Sequence, residues 1–194
     1  MLRCLLVFLF VAGASSVAAA SGETPPSPVP ASTPGTTPGL PPAPLSLGVA
    51  NLTEGATIPV AYTCDGANRS PALRWGGAPP TTVTYALIVD DPDAPVGTWV
   101  HWLIWNIAGD QTGLVEDIRQ GERKVVQGLN DFKQIGWGGP CPPPGNGAHR
   151  YYFRLYALNA ELPVAAGASR AQLEAAMAGH IVGTGEWQGR YERK

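Results

Sequence analysis

The chain has 194 residues, 44% of them hydrophobic, which is enough for one ordinary core but short for two domains once the ends are set aside. Its formal net charge is -2 and it has no Lys/Arg-rich run, which argues against a nucleic-acid partner. Only 14% of the residues are charged, whereas the 24 glycines and 20 prolines favour turns over long helices. The composition therefore predicts a single, mainly β domain.

The N-terminal residues 1–20 have the pattern of a signal peptide. A basic residue, Arg3, precedes an apolar run over 5–11, and small residues occupy 18–20. A transmembrane anchor is the alternative, but the apolar run is well short of the roughly 20 residues that span a bilayer. We therefore expect cleavage after Ala20 and export to the periplasm or out of the cell.

Residues 21–44 are rich in Pro, Ser, Thr and Gly and contain almost nothing apolar. Such a segment cannot bury enough surface to fold, so it is predicted to be a disordered linker. Its prolines favour an extended polyproline II conformation, which would make it a stiff spacer, and a leader without function is an equally open alternative. The folded domain is then expected over 45–194.

Three apolar runs of strand length predict β-strands over 83–89, 99–107 and 151–158. Both alternating faces of the second run are apolar, which indicates a strand covered on both sides. His101 lies within this run and is therefore expected to point into the interior.

The C-terminal part predicts one helix followed by a closing strand or turn. Ser169 and Gln172 match a capping box, and apolar residues follow at helical spacing. His180 is interpreted as a residue near the helix end rather than as a ligand-binding group. The alternating aromatic residues of 183–193 favour a strand or turn.

Ionisable residues occupy places where a β core needs apolar ones, and these form a candidate site. Asp91 and Asp93 follow the first of the three strands and flank a proline, which predicts a rigid turn, although Asp-Pro-Asp alone is more often a turn than a site. His149 and Tyr151 alternate onto one face of the third strand. Arg150 lies on the opposite face, where solvent or a structural carboxylate is expected to meet it.

In chain order these motifs resemble the phosphatidylethanolamine-binding protein family, also called Raf-kinase-inhibitor-like. The matching runs are Asp91-Pro92-Asp93-Ala94-Pro95, His101-Trp102, Gly138-Gly139-Pro140 and His149-Arg150-Tyr151. Residues 63–75 and 139–143 look like the bacterial and archaeal branch. The resemblance covers nearly all of the chain after the linker.

The resemblance implies a large antiparallel sheet packed against a smaller one, with few short helices. It also implies a pocket for phosphate-like groups, whose expected lining is Asp91, Asp93, His101, Pro140, His149 and Tyr151, with Gly139 shaping the loop. Eukaryotic members carry a C-terminal helix with a gating tyrosine that this sequence does not match. Lid behaviour and Raf-like kinase inhibition are therefore not expected to carry over.

The favoured function is non-catalytic binding of a small anionic or zwitterionic ligand. Two carboxylates beside a phosphate require compensating positive charge, so a zwitterionic headgroup fits better than a bare anion. An inhibitor of, or interaction partner for, a protease or kinase is the alternative, and an Asp/His acid-base hydrolase is less favoured. No metal-ligand spacing, nucleophile elbow or phosphate loop was found, no cofactor is expected, and any membrane contact is expected to be peripheral.

A disulfide between Cys64 and Cys141 is also predicted. They are the only two thiols expected in the mature exported chain, and an oxidising compartment favours their pairing. Two buried free thiols are the alternative.

Overall fold

The computed structural model describes residues 41–119 and 121–194. The predicted signal peptide and residues 21–40 of the predicted linker lie outside these residues. In chain order the strands are β1 Ala43–Pro44, β2 Ser46–Val49, β3 Leu73–Gly76, β4 Thr84–Asp91, β5 Trp99–Ala108, β6 Gly113–Leu114, β7 Val126–Gln127, β8 His149–Leu158 and β9 Ile181–Tyr191. The helix α1 is Arg170–Met177, and short 3-10 turns occupy Val60–Tyr62 and Glu122–Lys124.

The strands form two sheets. The larger has the order β1-β9-β8-β4-β5-β7 and is antiparallel except where β1 runs parallel to β9, and the smaller is antiparallel with the order β2-β3-β6. The predicted architecture, a large antiparallel sheet with a smaller one and few helices, is confirmed. Ala43 and Pro44 pair with Gly183 and Thr184, so strand pairing begins two residues before Leu45, inside the segment predicted to be linker.

Apolar side chains between the two sheets form the main core. Every residue of β4 is buried, because one face of the strand meets the small sheet and the other meets the helical side. Trp75 of β3 and Tyr85 of β4 lie with their ring centroids 5.2 Å apart and join the sheets. This core ends where the polar residues of the candidate site begin.

A second apolar cluster covers the other face of the large sheet. Leu173 and Met177, one helical turn apart on α1, are both buried there. The helix begins as predicted, since the Ser169 hydroxyl accepts from the Gln172 N–H and the Gln172 side chain returns to the Ser169 backbone. None of the helices among the described residues is long and apolar enough to cross a membrane.

A bulge in β5 sets the direction of His101. Val89 of β4 lies opposite Trp102, whereas the next residue, Asp90, lies opposite Val100, so His101 is the extra residue. A bulge of this kind turns two successive side chains towards one face of a sheet. His101 and Trp102 consequently both lie on the side of the small sheet, and His101 faces inward as predicted.

Candidate functional site

A cavity of about 280 Å³ opens at the end of the inter-sheet face, where β4, β5 and β8 meet the loop after residue 140. Its walls are mostly apolar and three ionisable side chains form its polar part. The lining residues are Asp91, Ala94, Pro95, Val96, Trp99, His101, Phe132, Cys141, Pro142, Pro143 and His149. The structure thus brings three of the predicted site residues, Asp91, His101 and His149, into one pocket.

Asp91 and His149 form a buried pair at the base of this pocket. The Nδ1 of His149 lies 2.8 Å from Oδ2 of Asp91, and both side chains are almost fully buried. The other oxygen, Oδ1, accepts from the backbone N–H of Asp93 at 2.8 Å, which closes the predicted Asp-Pro-Asp turn. Because β4 ends here and β8 begins here, the two strand termini bring the pair together.

The second ring nitrogen of His149 contacts the loop that closes the pocket. Its Nε2 lies 3.0 Å from Nδ2 of Asn146, and with the amide in this orientation Nε2 accepts the hydrogen bond. In this arrangement Nδ1 of His149 donates to Asp91. Asn146 therefore belongs to the site, although no motif in the sequence pointed to it.

His101 is neutral in this environment, with one ring nitrogen bonded to the protein and the other left to accept a hydrogen bond. Its Nδ1 donates to the carbonyl oxygen of Gly138 at 2.5 Å, and the N–H of Gly138 donates back to the carbonyl of His101 at 2.9 Å. Burial lowers the pKa of His101, and it outweighs the opposing effects of the Gly138 hydrogen bond and of Asp91. With Nδ1 engaged, Nε2 is the nitrogen left to accept a ligand hydrogen bond.

Two buried donors close to these groups have no hydrogen-bond partner among the described residues. They are the hydroxyl of Tyr151 and the indole Nε1 of Trp99. The Tyr151 ring lies edge-on to His101, with centroids 5.2 Å apart, and burial, followed by the charge of Asp91, raises the pKa of its hydroxyl. An unpaired buried donor costs about 1–3 kcal/mol, which a ligand or water that accepts these hydrogen bonds would recover.

Asp93 lies outside the cavity lining, in contrast to its predicted role in the pocket. Its carboxylate accepts from Nη2 of Arg150 at 2.6 Å and from Nε at 2.8 Å. Hydrogen bonding from Arg150 lowers the pKa of Asp93 to about 2. Arg150 thus meets a structural carboxylate, one of its two predicted environments, and Asp93 holds the turn that carries Asp91.

The remaining predicted residues, Gly139, Pro140 and Tyr151, lie outside the cavity lining, in contrast to the predicted lining role of Pro140 and Tyr151. Gly139 is buried, and its N–H donates to Oδ1 of Asn68 at 2.8 Å. A Cβ at Gly139 would lie 2.2 Å from the carbonyl oxygen of Tyr62, so only glycine fits. The carbonyl of Pro140 accepts from the N–H of Cys64 at 3.1 Å.

The predicted disulfide is present. Cys64 and Cys141 are bonded, with their Cα atoms 5.4 Å apart and a sequence separation of 77. The bond joins the segment after the first 3-10 turn to the loop that lines the pocket.

Two aromatic lining residues were missed by the sequence analysis. Trp99 stands two residues before His101 on the same strand, a spacing that could have revealed it. Phe132 contacts both, with ring centroids 5.5 Å from Trp99 and 5.3 Å from His101. It comes from a turn with no regular pattern, so the sequence held no signal for it.

The two-sheet fold and the terminal pocket define a mainly β protein with one candidate binding pocket at the end of its core, and comparison with known proteins identifies its family. The family model described as phosphatidylethanolamine-binding protein matches residues 49–192. A UPF0098 protein of Pyrococcus horikoshii is 48% identical over 142 residues, covering 71% of each chain. One from Methanothermobacter thermautotrophicus is 49% identical over 139 residues, covering 70% of this chain and 91% of the relative.

Two solved structures support the same family assignment. Escherichia coli YbcL, described as a member of the mammalian PEBP family, superposes with a TM-score of 0.72 at 34% identity, covering 77% of this chain and 99% of that one. A putative PEBP homologue from Chlamydia trachomatis gives a TM-score of 0.71 at 37% identity, covering 77% and 98%. The chain belongs to the phosphatidylethanolamine-binding protein family.

Proposed function

We propose that this protein reversibly binds a small zwitterionic molecule, with a phosphoryl-type anion and an ammonium group, and does not transform it. The observation that carries the proposal is the mixed polarity of one pocket. Asp91 and Nε2 of His101 can accept hydrogen bonds from a ligand, whereas Nε1 of Trp99 is a buried donor that has no partner among the described residues. A ligand with an ammonium group and a phosphoryl-type anion can donate hydrogen bonds to the pocket acceptors and accept them from the pocket donor.

The charges in the pocket favour a zwitterion over a bare anion. Among the described residues that line the cavity there is no lysine or arginine, and the buried carboxylate of Asp91 would repel a dianion. An ammonium group near Asp91 supplies the missing positive charge. The cavity volume of about 280 Å³ suits a headgroup-sized molecule better than a drug-sized one.

The pocket chemistry also supports binding without catalysis. None of the described lining residues carries a hydroxyl, an amine or a free thiol that could act as a nucleophile. His149, the natural general base, already uses Nδ1 for Asp91 and Nε2 for Asn146. A base engaged at both nitrogens is poorly placed to accept a substrate proton.

Calorimetric titration of four matched ligands tests the proposal: phosphoethanolamine, n-propyl phosphate, ethanolamine and inorganic phosphate. Phosphoethanolamine should bind at least about tenfold more tightly than n-propyl phosphate, which lacks only the ammonium group. Equal affinity for these two ligands would contradict the zwitterion assignment.

Variants at two histidines provide a matched control. His149→Ala should abolish phosphoethanolamine binding, whereas His180→Ala, at an exposed histidine bonded to Asn159, should bind as wild type. Phosphorus NMR of the same mixtures should show no release of phosphate over hours. Time-dependent phosphate release that His149→Ala abolishes would favour the hydrolase instead.

A protein partner, such as a protease or kinase, is the second candidate and is favoured by the rim of the pocket. Val96 at this rim is 78% exposed and Phe132 is 36% exposed. Exposed apolar side chains beside a cavity are typical of interaction surfaces. If Val96→Asp leaves phosphoethanolamine binding intact but abolishes inhibition of a protease or kinase, the rim serves a protein partner.

Export of the chain belongs to the same proposal. The disulfide supports it, because such bonds persist in oxidising compartments. Fractionation of the native host should find the mature chain outside the cytoplasm, beginning at Ser21, and a cytoplasmic full-length chain would contradict export.

A further inference from the structure

Cys141 lies in a wall shared by two cavities. Beside the ligand pocket is a second cavity of about 180 Å³, lined by Cys64, Asn68, Phe132, Gln134, Gly138, Gly139 and Cys141. Phe132 and Cys141 line both cavities. The disulfide is therefore part of the partition that gives the ligand pocket its shape.

The loop over 140–148 has few other attachments. Four of the five residues over 140–144 are prolines, which have no N–H to donate. Among the described residues, two backbone hydrogen bonds join the loop to other segments, from Cys64 N–H to the carbonyl of Pro140 at 3.1 Å and from Gly145 N–H to the carbonyl of Arg193 at 3.3 Å. Because hydrogen bonds are sparse, the covalent bond is the principal tether of this pocket wall.

The two sulfurs stand in different surroundings. Cys64 is an exposed residue, whereas Cys141 is half-buried against the pocket. Nη1 of Arg193 lies 3.9 Å from Sγ of Cys141, and Nε of the same guanidinium is held by Asp65 at 2.9 Å. A cation beside Cys141 stabilises a thiolate there, which makes Cys141 the better leaving group.

We propose that the Cys64–Cys141 bond is a redox-modification site for a dithiol reductant and that its reduction loosens the ligand pocket. A reductant thiolate attacks Sγ of Cys64, forming a mixed disulfide and breaking the bond to Cys141, which leaves as a thiolate beside Arg193. The second thiol of the reductant then attacks the mixed disulfide and releases Cys64. The reductant ends as a disulfide, and the protein gains two electrons and, at neutral pH, up to two protons.

The structural consequence of reducing this disulfide is confined to the pocket wall. Release of Cys141 frees Pro142 and Pro143, which line the pocket, and Asn146, which holds Nε2 of His149. The two apolar clusters of the sheets contain neither cysteine. The identity of the ligand rests on the proposed function above, whereas the loosening of the loop does not.

Hydrogen exchange measured by mass spectrometry tests the loosening without a ligand. On reduction with dithiothreitol, amides of 141 and 145–148 should exchange at least about tenfold faster, and those of β4 should keep their protection. Unchanged exchange in the loop would overturn the proposal. Loss of protection in β4 would overturn it too, because reduction would then unfold the domain as a whole.

Titration with phosphoethanolamine tests the effect on binding. Affinity should fall about tenfold on reduction, and the double variant Cys64→Ser/Cys141→Ser should match the reduced protein, because a pre-organised wall is lost. Equal binding by oxidised and reduced protein overturns the redox control. If the oxidised protein fails to bind at all, the proposed function fails, and the exchange experiment alone decides whether reduction loosens the wall.

The order of attack is a third test. Brief treatment with the monothiol glutathione, followed by alkylation and peptide mapping, should find the mixed disulfide on Cys64 and the alkyl group on Cys141. Arg193→Gln should slow this step, whereas Arg119→Gln, at an exposed arginine paired with Asp117, should not. A mixed disulfide found mainly on Cys141, or an unchanged rate in Arg193→Gln, would contradict the assigned roles.

Discussion

Asp90 and Asp91 are neighbours at the end of β4, yet they lie on opposite faces of the large sheet and in different surroundings. Asp90 is 1% exposed, and its oxygens accept from Arg154 and from Arg170, the latter at 2.7 Å. We call this group, together with Glu174 and Glu186, the outer ion cluster. Asp91 is also buried, but it pairs with His149 instead of an arginine, and it lines an open cavity.

The difference separates a carboxylate whose charge is matched within the protein from one that we propose to bind a ligand. In the outer ion cluster each arginine has a second acidic partner, Glu186 for Arg154 and Glu174 for Arg170, so the charges are matched within the protein. Around Asp91 the described residues leave donors unpaired and supply no fixed cation. We therefore expect the outer ion cluster to stabilise the fold and the pocket to bind the ligand.

The largest expected effect is on stability, from Asp90→Ala. The substitution leaves Arg154 and Arg170 without their shared buried partner, which should lower the free energy of unfolding by about 2–4 kcal/mol. Urea unfolding followed by tryptophan fluorescence measures it. Glu186→Ala is the matched control and should cost less than about 1 kcal/mol, because this pair is half exposed. Equal losses for the two variants would contradict the special role of Asp90.

Gly139→Ala should disturb the pocket side and leave the outer ion cluster intact. The new Cβ would meet the carbonyl of Tyr62 at 2.2 Å and Oδ1 of Asn68 at 2.5 Å, an overpacking that costs about 1–3 kcal/mol. Thermal melting and ligand titration should both detect it. Gly48→Ala is the control, since its Cβ would have only the carbonyl of Arg74 nearby, at 3.9 Å. Wild-type binding by Gly139→Ala would show that this backbone contact does not shape the pocket.

His101 should make stability depend on pH between its unfolded and folded pKa values. Burial lowers the folded pKa of His101 below its ordinary value of 6.5, so below that pH the unfolded chain binds a proton that the folded one does not. Stability is then lost as pH falls, by at most about 1.4 kcal/mol per pH unit, until the folded pKa is reached. His101→Asn, which can still donate to Gly138, should remove this part of the slope. Identical slopes for variant and wild type would contradict a neutral His101.

The smallest effect is expected from Asp93, whose partner Arg150 lies at the surface. Because the folded pKa of Asp93 is lowered to about 2, its stabilising contribution is full above its unfolded pKa and is lost as pH falls towards 2. On acid unfolding over this pH range, Asp93→Asn should bind fewer protons than wild type, by less than one proton per molecule, and potentiometric titration measures this difference. Added salt should shrink the difference, since the pair is partly exposed. A difference that is unaffected by salt would indicate a buried interaction instead.

Sequence reasoning succeeded where side chains follow a simple period. Alternation in β8 correctly put His149 and Tyr151 on the inner face and Arg150 on the outer face. The capping box at Ser169 correctly located the start of α1. Two cysteines in a chain expected to be exported were enough to predict the disulfide.

Sequence patterns could not predict the positions of residues that depend on tertiary contacts. The bulge that makes His101 and Trp102 share a face comes from the pairing of β5 with β4, which no local pattern encodes. Asp93 lies beyond the end of β4, so alternation could not assign it to Arg150 instead of the pocket. Phe132 reaches the pocket from a turn that is distant in sequence, and only the folded chain brings it there.

Titration of phosphoethanolamine into Asp90→Asn and Asp91→Asn, side by side with wild type, tests the central claim most directly. Both variants remove one buried negative charge from adjacent positions and keep the side-chain size. We predict that Asp91→Asn lowers the affinity by about 10- to 100-fold, the cost of a charge-assisted hydrogen bond, and that Asp90→Asn, folded at the assay temperature, binds within about threefold of wild type. Wild-type affinity in Asp91→Asn, or an equal loss in both variants, would contradict the assignment of the pocket as the binding site.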